Sequence, residues 1–119
     1  MKNNYSPLKL LIAVLPRGKS EPLLKNIADI SSFSFKLMGR GTAPSHIGEL
    51  LGTGESEKDI LFITAKNDNM EKIAVALKKH GNFNSAGGGV FFTVPFSAVS
   101  GPFNYKIFSG ESEEVNKNE

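Results

Sequence analysis

Three consecutive glycines, Gly87-Gly88-Gly89, run straight into the β-prone segment Val90-Phe91-Phe92-Thr93-Val94-Pro95. Glycine loses more conformational freedom on folding than any other residue, so a fold retains a triplet only where the backbone needs it. The usual needs are a positive φ or a close approach by another backbone or a ligand. A turn without side chains also presents bare N–H groups, and a concavity of such groups suits phosphate or carboxylate. Met38-Gly39-Arg40-Gly41-Thr42 forms a second glycine-lined strand end upstream. Two such ends and one arginine point to a ligand pocket rather than to an active site.

The rest of the chain reads as one α+β domain of alternating elements. Leu8 to Leu15 is a near-continuous apolar run, the pattern of a strand buried on both faces. It is too short to span a membrane and has no cleavage site after it, so the expectation is a soluble, cytoplasmic protein. Ser20 is placed to cap a helix in which Leu23, Leu24, Ile27 and Ile30 recur at helical spacing. Phe33, Phe35 and Leu37 alternate with polar residues as in a strand covered on one side. Ile60 to Thr64 is a third strand, Asn69 to His80 an amphipathic helix closed by Gly81, and Gly89 to Phe96 a fourth strand. Phe103, Tyr105 and Ile107 alternate like a short edge strand. Residues 1–7 and the polar stretch 110–119 read as flexible.

The order β-α-β-β-α-β is the split pattern of a ferredoxin-like fold, a four-stranded antiparallel sheet with two helices on one face. The other face stays bare and apolar, which predicts a closed oligomer. The 119 residues carry a net charge of +2 with no basic block, so no nucleic-acid footprint is present. The absence of cysteine excludes disulfides, thiolate metal sites and thiol nucleophiles. Thr42 and Ser45 have no adjacent base, so the sequence offers no catalytic mechanism and a non-enzyme is expected. His46 and Glu49 share one helical face in a segment, Pro44 to Leu51, that could make two helical turns, but a third metal ligand is lacking.

With these segments in order, the chain over residues 8–101 resembles the nitrogen regulatory P-II protein superfamily, and more closely its divergent P-II-like branch. The carriers are Ala13-Val14-Leu15-Pro16, Gly39-Arg40-Gly41-Thr42-Ala43, the stretch from Leu51 to Leu61, and Ala86 to Pro95. The resemblance implies a homotrimer that senses an adenine nucleotide in clefts between subunits. It also implies that the long 41–59 connection regulates a partner such as a membrane transporter. The candidate ligand-binding residues are Gly39, Arg40, Gly41, Lys58, Ser85, Ala86, Gly87, Gly88 and Gly89. Nitrogen-sensing relatives carry Gly-Asp-Gly-Lys where this chain has Gly87-Gly88-Gly89-Val90, and paired arginines are absent near Val99 to Phe103. With fewer cations to neutralise phosphate, AMP or ADP fits better than ATP. The region from Gly41 to Asp59 contains no tyrosine, so uridylylation there is excluded. A ligand-free adaptor trimer and a metal-binding ferredoxin-like trimer are the alternatives.

Overall fold

The computed structural model describes residues 6–40, 57–85 and 88–111, with Arg40 described by its backbone alone. Strands β1 (Leu8–Pro16), β2 (Phe33–Arg40), β3 (Glu57–Lys66) and β4 (Val90–Pro95) form one antiparallel sheet in the order β2-β3-β1-β4. Helix α1 (Ser20–Asn26) follows β1, α2 (Asn67–His80) follows β3, and α3 (Pro102–Ser109) follows β4. This is the ferredoxin-like arrangement expected from the element order, with a third helix added.

Alternation along the central strands divides the chain into two faces. Leu11, Ala13 and Leu15 of β1 and Leu61, Ile63 and Ala65 of β3 point one way and are buried beneath both helices. There they meet Leu23 and Ile27 from the α1 region and Met70, Ile73 and Leu77 of α2. Side chains four and three apart place those α2 residues on one stripe, so the helix buries a face while Lys72, Lys78 and Lys79 stay in solvent.

The opposite face is built from cross-strand rows. Phe35, Phe62, Ile12 and Phe92 stand opposite one another across all four strands, as do Leu37, Ile60, Val14 and Val90. The Phe35 and Phe62 rings stack with centroids 4.8 Å apart. Helix α3 covers the far end of this face: Phe108 packs edge-on against Phe33, and Thr64 Oγ1 donates 2.7 Å to the Phe108 carbonyl. The rows beyond remain open, with Phe35 44%, Leu37 50% and Phe92 49% exposed. The expectation that β1 is buried on both faces therefore holds for the helix-side Leu11, Ala13 and Leu15, whereas Leu10, Ile12 and Val14 on the other face are half-buried.

Three local expectations change. The segment expected as an edge strand at Phe103 to Ile107 is helix α3. Its entry has Gly101 at φ 96° and Pro102 in the first turn, and its exit has Gly110 at φ 87°, so helix chemistry at both ends outweighs a three-residue alternation. Ser20 does not cap α1 but is its first residue, with Lys19 before it, and its hydroxyl is used elsewhere. Helix α1 stops at Asn26, after which Ile27, Ala28 and Ile30 donate to carbonyls three residues back. These tighter turns keep Ile27 and Ile30 on the core without extending the α-helix. At the two ends of the described chain, the Ser6 carbonyl accepts 2.6 Å from the Tyr105 hydroxyl, and Glu111 pairs with Lys66 at 2.7 Å.

Candidate functional site

Both glycine-lined strand ends lie at the same end of the sheet. Gly39 stands opposite Lys58, and Lys58 opposite Pro16, while Val14 stands opposite Val90 at the start of β4. The structure thus brings Gly39 and Lys58 together on neighbouring strands, with Arg40 opposite Glu57 one position further. Lys58 is 5% exposed. A side chain at position 39 would press on Ile60 Cδ1 at 3.0 Å, so glycine keeps this strand end flush with its neighbour.

The second strand end is on the opposite edge. Since β2 and β4 are separated by β3 and β1, three strand spacings put them about 14 Å apart. Within one chain the Arg40 backbone and the described loop residues Ser85, Gly88 and Gly89 therefore lie toward opposite edges of the sheet. Within that loop two glycines have separate reasons. Gly89 has φ +103° and lies so near β1 that a Cβ would sit 2.5 Å from the Val14 carbonyl oxygen. At Gly88 a Cβ would overlap the Asn82 carbonyl, because the loop folds back on the segment leaving α2. Ser85 closes that turn, its hydroxyl donating 3.0 Å to Asn82 Oδ1. Gly41, Ala86, Gly87, His46 and Glu49 lie outside the described residues, as does most of the 41–59 connection. Among the described residues no group of three or more His, Cys, Asp or Glu could hold a metal ion, and no helix is long and apolar enough to cross a membrane.

Sequence reasoning missed the β1–α1 turn as part of this end of the molecule. Arg17 pairs with Glu57 and its Nη2 lies 3.1 Å from the Met38 sulfur, so one side chain ties both strands that lead to the 41–56 stretch. Behind it, Asp59 is 1% exposed and accepts 3.0 Å from the Gly18 N–H and 2.8 Å from Ser20 Oγ. Burial pushes the Asp59 carboxyl up. The bonds from Ser20 and Gly18, with the nearby Lys36 charge, outweigh that and hold it below its ordinary value. The signal in the sequence was the cationic, glycine-bearing turn Pro16-Arg17-Gly18-Lys19, whose spacing alone does not say that it faces a carboxylate some forty residues away.

No protein-family model matches the chain, and no curated protein sequence matches it. Solved structures do. A protein from Bacillus cereus related to NIF3 superposes with a TM-score of 0.60 at 12% identity, covering 82% of this chain and 27% of that one. This chain thus spans only about a quarter of that protein. A protein of unknown function from Pediococcus pentosaceus gives 0.58 at 15% identity, over 81% of this chain and 98% of that one. The protein CPII of Thiomonas intermedia, solved with ADP, AMP and acetate, gives 0.57 at 16% identity, over 76% and 87% of the two chains. The fold is P-II-like. At these identities the likeness establishes architecture alone.

Proposed function

We propose that the protein is a P-II-like regulator that binds an adenine nucleotide between two copies of itself. The observation that carries this reading is the division of the candidate site. Gly39 and Arg40 lie on the β2 edge of the sheet with Lys58 beside them on β3, and Gly88 and Gly89 lead into β4 on the other edge, at the same end. A single chain leaves each half incomplete, whereas a neighbour docked through the open sheet face could set the β2 end of one copy beside the β4 end of the next.

The open face supports that assembly. Ile12, Phe35, Phe62 and Phe92 form a hydrophobic row whose outer members are nearly half exposed, and β1 carries a core-like sequence on a face that the described residues leave partly open. A closed ring of three is the form the resemblance implies. In the cleft, Arg40 meets phosphate and the side-chain-free backbone of Gly88 and Gly89 gives room. With Val90 in place of a lysine, AMP and ADP are preferred over ATP. CPII holding ADP and AMP on the same fold is consistent with this ligand class.

The role is regulatory rather than catalytic, with the 41–59 connection contacting a regulated partner. Titration calorimetry with AMP, ADP and ATP, with and without magnesium, tests the reading. Micromolar binding near one nucleotide per chain is expected. Silence across the panel would favour a ligand-free adaptor.

A further inference from the structure

A cavity of about 310 Å³ lies within a single protomer, on the helix-covered side of the sheet. Its floor is apolar, from Leu15 at the end of β1 and Leu23 of α1. Its polar lining comes from three other places: Lys19 before α1, His80 and Asn82 around the end of α2, and the backbone of Gly88. Among the described residues that line it there is no carboxylate, and Lys19 supplies a positive charge.

From this combination we infer that the cavity is a binding site for a small organic anion. Its acid group lies between Lys19 and His80, and its apolar body rests on Leu15 and Leu23. The volume is at the lower limit of small-molecule sites, which suits a ring or short chain bearing one acid group rather than a nucleotide. Apolar walls with a few convergent polar groups are the usual make-up of such sites. The acid group makes charge-assisted contacts, which are the stronger kind of hydrogen bond. The site shares Gly88 with the nucleotide reading but neither Arg40 nor Lys58 lines it, so its charged groups are separate.

Amide chemical shifts of the full-length protein, titrated with benzoate, phenyl phosphate and benzyl alcohol, provide the test. Benzoate or phenyl phosphate is expected to give saturable shifts at Gly81, Asn82 and Gly88, and benzyl alcohol none. The two anions distinguish a carboxylate from a phosphate source. Lys19→Ala and His80→Ala, both exposed positions, should each weaken anion binding about tenfold or more with the amide spectrum otherwise intact. Lys106→Ala should leave it unchanged. Equal shifts with benzyl alcohol, no saturable shifts with either anion, or full affinity in both variants would overturn the assignment. Nucleotide titration of His80→Ala separates the two sites, because AMP and ADP binding should not change.

Discussion

Ser20 Oγ donates a 2.8 Å hydrogen bond to Asp59 Oδ2 across 39 positions of sequence, fastening the start of α1 to the first residues of β3. Asp59 Oδ1 is buried and accepts no hydrogen bond from the described residues, so the carboxylate depends on the donors at Oδ2. Removing the carboxylate in Asp59→Ala should destabilise the fold by about 2–3 kcal/mol, since it strands the Gly18 N–H and the Ser20 hydroxyl. Urea unfolding measures this directly.

The same carboxylate gives a pH dependence of fixed sign. Its folded pKa is held below the ordinary 3.8, so the unfolded chain takes up the proton first as pH falls. Its contribution is complete above that ordinary value and is lost as pH drops through the lower folded value. Urea midpoints measured between about pH 6 and pH 2 should fall at the acid end in the native chain. Asp59→Asn should flatten that part of the slope.

Gly89 and Gly18 both have positive φ, yet only Gly89 is crowded: a Cβ would meet the Val14 carbonyl at 2.5 Å, whereas nothing lies within 4 Å at Gly18. Gly89→Ala should therefore cost more than Gly18→Ala. Backbone strain sets about 1–3 kcal/mol for either, and the carbonyl clash adds to the former. Thermal melts of the two variants side by side should show the order, and equal melting temperatures would contradict the close approach.

Helix α3 is held to the open sheet face by a small set of contacts. Thr64→Val keeps the shape but deletes the bond to the Phe108 carbonyl, which should cost about 1 kcal/mol. Because Phe108 also packs on Phe33 and Phe96, the helix should stay in place but open more often. Faster amide exchange confined to residues 102–109 is the expected readout.

Arg40→Ala should weaken AMP or ADP by about 1.5–3 kcal/mol if the guanidinium meets phosphate. Calorimetry with unchanged affinity would remove Arg40 from the phosphate site.

Much of the fold was legible because its periodicities are clean. Phe33, Phe35 and Leu37 alternate, and Met70, Ile73 and Leu77 repeat at helical spacing; both patterns fall on the elements they indicate. Helix α3 was misread because Phe103, Tyr105 and Ile107 fit a strand over a stretch too short for periodicity to decide. Its end signals, Gly101-Pro102 at the entry and Gly110 at the exit, carried the better information. At the candidate site, the glycine pattern marked Gly39, Gly88 and Gly89 as places of close approach. It could not show that β2 and β4 are opposite edges, since strand order is a property of long-range pairing. Arg17 and Asp59 escaped for the same reason, as each acts on a residue remote in sequence.

The central claim is that the nucleotide site needs two copies of the chain. A monomeric variant therefore tests it most directly. Phe35→Asp combined with Phe92→Asp places charge at both outer members of the exposed row and leaves the helix-side core of β1 and β3 untouched. Sedimentation velocity should show an oligomer for the native protein and a monomer for the variant, with circular dichroism confirming that the variant is folded. Native protein that binds ADP while the folded monomer does not is the predicted result. A folded monomer that binds ADP with native affinity would contradict a site shared between copies.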